Sequence, residues 1–272
     1  MKHFFYDLTA DICTSIIGMD FNLLNQYFDH IYVVTLHRAA ERHLNIQNKL
    51  NGLNYQFFFG ADNKEFSVQN LEEKNIYNSA KAKAVHRYNK PMQSGVLGCS
   101  LSHRMVYSDI LAHGYKQVLI LEDDVESNAT GIANFAGIIK ELPENWELLY
   151  FDYNKHTEAN FFTAAKQNIY HLQKFFGGLK WSHTTINNLY AKPFSQHLKI
   201  AGYHDYTSAY AVTYSAAAKL VQLQTPVVYV ADHLLAHAAT NKIVDAYIAI
   251  PKLFEQESQK NKSATGSYAE EI

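Results

Sequence analysis

Three adjacent carboxylates, Glu122, Asp123 and Asp124, follow directly on the apolar run QVLIL at residues 117–121. Like charges this close repel one another, and a buried strand beside them raises the cost of ionising all three. A positive partner is therefore expected. A hard divalent cation, Mn2+ or Mg2+, accepts a few carboxylate oxygens and keeps positions open for diphosphate oxygens. The plainer alternative is a solvated acidic turn that caps the helix after it.

Two other groups carry chemistry in their residue types. Arg38 and Arg42, i and i+4 at the start of the helix after the first strand, share one helix face and can touch phosphate or a base. Such a pair is also an ordinary solvated face. The segment SGVLGCSLSHRM, residues 94–105, opens a helix with small residues, and Ser102 and His103 are polar on an otherwise apolar face. A helix N-terminus of this kind can face an anion. The same composition equally suits tight helix–sheet packing with His103 satisfied internally. There is no HExxH and no CxxC, so the fourteen histidines and two cysteines suggest neither a zinc site nor a disulfide scaffold.

The elements that must hold these residues are legible as five apolar runs: 31–36, 54–59, 117–121, 147–151 and 243–250. IYVVTL at 31–36 shows no alternation, as expected of a parallel strand covered on both faces. Helical patterns fall at 38–51, 96–113, 132–142 and 215–223. Strands alternating with helices predict an α/β fold with a mixed, mainly parallel central sheet and helices on both faces. Ligands of such sheets bind beyond the carboxyl ends of the strands, where the three carboxylates fall. Long loops are expected near 61–94 and 152–205.

At 272 residues and 47% hydrophobic, the chain has enough apolar material for a large core. It reads as one domain over 1–272, with an N-terminal extension at 1–29 and a polar tail at 255–272. The net charge of −2 argues against a nucleic-acid binder, which would carry a basic excess. No apolar run reaches the roughly 20 residues of a membrane helix, and Asp7 and Asp11 interrupt any leader-like segment. A soluble or peripherally bound protein is expected.

Taken in order, the segments resemble glycosyltransferase family 25, which contains lipopolysaccharide-biosynthesis enzymes and collagen galactosyltransferases. The matching residues are IYVVTLHRAAER (31–42), FFFGAD (57–62), GVLGCSLSH (95–103), LILEDDV (119–125), SAYAVTYSAAAKLV (208–221) and PVVYVADHLL (226–235). Pro251, Gln256 and Ser263 resemble the closing segment. The chain departs from the pattern at Thr35, where the family usually has Asn before Leu.

The resemblance implies a GT-A-like nucleotide-sugar-binding fold and inverting transfer from a UDP-sugar, commonly UDP-galactose, to a glycan or lipid-linked glycan such as lipooligosaccharide or lipopolysaccharide. It implies Glu122 and Asp124 as ligands of Mn2+ or Mg2+, with Asp123 a third ligand or a donor-sugar contact. Arg38, Arg42 and Asp62 would surround the uridine, and Ser102 and His103 would lie near the nucleotide. An inverting displacement needs a base within about 3 Å of the acceptor hydroxyl. Asp232 is the first candidate and Asp205 the second. Asp232 also suits a metal-side role, with His233 or His237 assisting, or the N-cap of the helix DHLLAHAAT. Phe175, Phe176, Trp181, Tyr190, Tyr203 and Tyr206 would line an acceptor groove, or are ordinary core. A cytoplasmic location, free or peripheral at the inner membrane, goes with the lipopolysaccharide reading. Two rivals stand beside it: a metal-dependent phosphohydrolase or nucleotidyltransferase, which needs a second ligand cluster for a two-metal site, and a UDP-sugar-binding module without turnover.

Overall fold

The computed structural model describes residues 19–86 and 89–257. Its strands are β1 (His30–Thr35), β2 (Gln56–Phe59), β3 (Gln117–Glu122), β4 (Val125–Ser127), β5 (Leu148–Tyr150), β6 (Lys192–Pro193), β7 (Leu198–Ile200), β8 (Ala209–Thr213), β9 (Ala246–Ala249) and β10 (Phe254–Gln256). The helices are α1 (Asn22–Tyr27), α2 (Ala40–Lys49), α3 (Val68–Glu73), α4 (Ser79–Val85), α5 (Ser94–His113), α6 (Ala129–Ala133), α7 (Phe135–Glu141), α8 (Phe161–Phe175), α9 (His183–Asn187), α10 (Tyr214–Leu223) and α11 (Ala231–Thr240).

Eight strands form one sheet in the order β2-β1-β3-β8-β5-β9-β7-β6, and β4 and β10 pair separately. β1 lies parallel to β2 and β3, and β5 to β9. β8 is antiparallel to β3 and β5, and β7 to β9 and β6. Six strands thus run one way, with β7 and β8 against them, which is the mixed, mainly parallel sheet expected of a GT-A-like fold.

Alternate residues of the central strands enter opposite cores. Ile31, Val33, Leu119 and Leu121 pack with Ile46 of α2 and Phe135 and Ile138 of α7. Tyr32, Val118 and Ile120 pack on the other side with Val106, Tyr107 and Ile110 of α5, Leu220 of α10 and Leu235 of α11. Burial on both faces is why β1 and β3 read as continuous apolar runs. Each fully buried aliphatic side chain here contributes about 1.5–3 kcal/mol.

Several boundaries differ from expectation. The stretch 61–94 holds α3, α4 and the start of α5, and 152–205 holds α8, α9, β6 and β7. Neither α3 nor α8 buries a residue, so neither has a core-facing side to advertise. The pattern at 132–142 is two helices broken at Asn134. Residues 19–29 of the proposed extension carry α1 and place Phe21, Leu24 and Phe28 in the core. Residues 254–256 of the region near the tail form β10 against β4. Cys13, Ser263, residues 1–18 and residues 258–272 lie outside the described residues.

Candidate active site

The site follows from strand direction. Glu122 ends β3, and Asp123 and Asp124 occupy the turn into β4. Asp152 follows β5. Asp205, Thr207 and Ser208 precede β8, which runs the opposite way. All therefore reach the same edge of the sheet, and the Glu122 amide bonds Ser208 O across it at 2.9 Å. This edge is the crevice beyond β1 and β3, where the chain steps to either side of β1.

The three adjacent carboxylates have three different fates. Asp123 is buried and fully engaged: Oδ2 accepts from Thr35 Oγ1 at 2.5 Å and Oδ1 from Arg42 Nη1 at 2.7 Å. Glu122 Oε1 accepts from Thr207 Oγ1 at 2.5 Å and faces His103 Nε2 at 3.2 Å. His103 is buried and its Nδ1 lies 2.7 Å from Tyr210 Oη, which meets Tyr107 Oη at 2.8 Å. Asp124 Oδ2 accepts from Gln256 Nε2 at 3.0 Å, but Oδ1 is buried without a hydrogen-bond partner among the described residues.

Protonation follows these contacts. Burial alone would raise the Glu122 carboxyl, but the hydrogen bond and charge of His103, with Thr207, outweigh it and hold Glu122 below the usual carboxylate range. Burial, reinforced by the Glu122 charge, pushes Asp124 up to about 7. A buried orphan oxygen on a carboxylate reluctant to ionise is what a bound cation would satisfy. Glu122 and Asp124 carry the hard carboxylate oxygens that would suit Mn2+ or Mg2+, while both Asp123 oxygens already accept hydrogen bonds.

A second cluster, not visible in the spacing, gathers Asp205, Asp232 and His233, whose ligand-type atoms all lie within 4.8 Å of one another. Asp232 stands in the first turn of α11 and accepts from the His233 amide at 2.7 Å. The N-cap position belongs to Val230, so the expected capping role of Asp232 is not what the helix uses. Burial raises the Asp232 carboxyl; His233 offsets this and the Asp205 charge adds to it. Asp205 is ion-paired to Lys155. The free thiol of Cys99 groups with His103 and Glu122, their ligand-type atoms all within 4.8 Å of one another; burial raises its pKa, as do the charges of Glu122, Asp232 and Asp124.

The donor-side candidates are placed differently from expectation. Arg38 sits in the turn before α2, so the two arginines do not form a pair along one helix face. Arg38 Nε bonds Asp62 Oδ2 at 2.7 Å, whereas buried Arg42 bonds Asp123. Burial would raise Asp62, but the Lys64 amide and Arg38 outweigh it and hold the carboxyl low. Ser102 is buried, donates to Gly98 O at 2.7 Å and accepts from Ala61 N at 2.9 Å. A Cβ on Gly60 would overlap Ser102 Oγ, and one on Gly98 would come within 2.8 Å of Ala61 O. The small residues therefore let α5 press against the turn that carries Asp62. His103 is likewise satisfied internally.

Beside the second cluster opens a cavity of about 850 Å3, lined by Trp181, Tyr203, Tyr229, His233 and His237, with Leu172 and Phe176 at one side. The Trp181 and Tyr203 rings lie 5.4 Å apart. Of the other expected groove aromatics, Tyr190 is buried, Phe175 is exposed, and Tyr206 Oη accepts from Asn154 Nδ2.

The sequence profile of glycosyltransferase family 25 (LPS biosynthesis protein) matches residues 28–235. The chain belongs to glycosyltransferase family 25. It is 25% identical over 198 residues to a glycosyltransferase 25 family member of Aedes aegypti, covering 71% of this chain and 28% of that protein. It is 22% identical over 128 residues to procollagen galactosyltransferase 1 of Danio rerio, 45% of this chain and 21% of that protein. It is 28% identical over 142 residues to the inactive glycosyltransferase 25 family member 3 of Homo sapiens, 50% of this chain and 18% of that protein. The chain thus spans less than a third of the length of these curated relatives.

Some residues of this family 25 site escape a reading of the sequence alone. Thr207, which holds Glu122, is a neutral residue far along the chain, and Gln256, which holds Asp124, is marked in the sequence only by its place in the closing segment. Asp152 is wholly buried and accepts from Ser208 Oγ at 2.6 Å, Lys252 Nζ at 2.9 Å and the Gln256 amide at 3.1 Å. Its signal was available: a lone carboxylate directly after the apolar run ELLYF. His37, just past β1, and Phe59, the last residue of β2, stack at 3.9 Å and carry no such mark.

Proposed function

We propose that this family 25 chain is an inverting hexosyltransferase that moves galactose from UDP-galactose to a glycan or lipid-linked glycan acceptor, lipopolysaccharide-type glycans included. The observation that carries the reading is the pairing, on one sheet edge, of a carboxylate pair with a buried orphan oxygen and a separate Asp205–Asp232–His233 cluster beside an aromatic cavity. The first suits a diphosphate and the second an acceptor hydroxyl. The galactosyltransferase name of the Danio rerio relative supports the choice of sugar.

Glu122 and Asp124 would hold Mn2+ or Mg2+, which supplies Lewis-acid neutralisation of the UDP leaving group when bound. Thr35 and Arg42 pin Asp123 and so fix the turn that carries both ligands. Arg38 and Asp62, with the His37–Phe59 stack, form the uridine side. Asp232 removes the acceptor hydroxyl proton as the acceptor oxygen bonds to the sugar's anomeric carbon and the bond to the diphosphate oxygen breaks. The charge of Asp205, which is paired with Lys155, raises Asp232's affinity for that proton. Aromatic faces of Trp181 and Tyr203 pack on the apolar face of an acceptor ring.

A thermal-shift screen with Mn2+ and UDP-galactose, UDP-glucose, UDP-GlcNAc or GDP-mannose tests the donor. At about 100 Kd a ligand that binds only the folded state adds about 2.7 kcal/mol. UDP-galactose should give the largest shift, and product should form when a glycan acceptor is added. No shift with any UDP-sugar would sink the proposal. The relatives named inactive favour one second reading, a UDP-sugar-binding module; it predicts the same shift with neither transfer nor hydrolysis. Hydrolysis of the donor to UDP without transfer would point to the hydrolase rival, now that a second cluster exists.

A further inference from the structure

Helix α8 is well formed yet buries none of its residues. A capping box starts it: Asn160 Oδ1 accepts from Thr163 N at 3.0 Å, and Thr163 Oγ1 from Asn160 N at 2.7 Å. Contacts to α9 hold it in place, including Gln167 Nε2 to Ile186 O at 2.6 Å. Phe162, Ala165, Ile169, Leu172 and Phe176 recur at alternating steps of three and four, which makes one apolar stripe. Phe161, Phe162, Phe175 and Phe176 are each more than three-quarters exposed. A short amphipathic helix is normally stabilised by burying such a stripe.

Charge selects the occupant. Residues 160–181 carry Lys166, Lys174 and Lys180 and no aspartate or glutamate, in a chain whose net charge is −2. A second copy of this chain would bring the same lysines face to face. A negatively charged apolar surface matches both properties. No helix among the described residues is long and apolar enough to cross a membrane, so the contact would be interfacial. We propose that residues 160–181 are a docking surface for an anionic phospholipid bilayer, with the Phe rings at the acyl boundary and Lys166 and Lys174 at headgroup level. Leu172 and Phe176 also wall the cavity that holds Trp181, Tyr203 and His233, so docking brings that cavity to the lipid surface. The docking stands apart from the transferase reading; only its use for a lipid-linked acceptor rests on that reading.

The test is flotation of the full chain with vesicles of phosphatidylcholine containing about one-third phosphatidylglycerol, against phosphatidylcholine alone. The protein should float with the anionic vesicles, and less so in about 0.5 M salt. The double variant Phe162→Ser, Ile169→Ser should bind at least about tenfold more weakly with an unchanged Tm, since both side chains are exposed. No binding to anionic vesicles, or equal binding by the variant, would overturn the proposal. Self-association that the variant abolishes, without vesicle binding, would give the stripe to a second copy and overturn it as well.

Discussion

Burial raises the proton affinity of Asp232 before any neighbour acts, and its closest neighbours, His233 and Asp205, then pull in opposite directions. A carboxylate shifted upward is a better base near neutral pH than one left in water. General-base assistance is worth about 10²–10⁴-fold, so Asp232→Asn should lower turnover by that factor. UDP–Mn2+ affinity should stay near wild type, because Glu122 and Asp124 hold the other end. Tm should hold too, since Val230 rather than Asp232 occupies the cap position. Loss of donor affinity together with turnover would make Asp232 a metal-side residue. Full turnover in the folded variant would remove it from the site. At this scale the sequence showed where carboxylates cluster and was silent about their partners. Three neighbours in the chain, Glu122, Asp123 and Asp124, look alike on paper. They are separated only by Thr207, Arg42 and Gln256, which fold up beside them.

Among the elements, β1 and β3 were readable because burial on both faces removes polar residues from the run. β8 was caught only within the family resemblance, since AYAVT is short and its alanines are weak strand signals. The N-terminal half of α5 was read two ways, as an anion-facing end or as a packing surface, and the contacts of Gly60, Gly98 and Ser102 are those of packing. That has a measurable consequence. A methyl group at Gly98 would come within 2.8 Å of the Ala61 carbonyl, a backbone atom that cannot swing aside. Gly98→Ala should destabilise the protein by about 1–3 kcal/mol, as overpacking generally does. It should also weaken UDP binding by displacing Asp62 and hence Arg38. Denaturant titration and a UDP binding isotherm check the two effects, and an unchanged midpoint would show that the helix is not held as tightly as the contacts imply.

For the whole molecule, the site is assembled from contacts whose partners are far apart in the chain: His103 with Tyr210 across 107 positions and Asp124 with Gln256 across 132. No local spacing encodes such pairs, which is why the edge of the sheet was foreseeable and its wiring was not. The wiring gives the fold a pH dependence. Asp124 carries a folded pKa near 7 against the ordinary value of 3.8. The unfolded chain therefore releases this proton first, and metal-free protein loses stability as pH rises from about 4 towards 7. A divalent cation must displace the same proton, so its binding strengthens over that interval and levels off above it. After chelator treatment, adding Mn2+ should raise Tm more at pH 7.5 than at pH 5.5. Asp124→Asn removes the charge that burial opposes. Without metal it should melt higher than wild type at pH 7.5, and it should show neither the Mn2+ shift nor Mn2+-dependent UDP binding. An equal Mn2+ shift at both pH values, or one that persists in Asp124→Asn, would mean that the cation sits elsewhere and that the buried oxygen of Asp124 has another purpose.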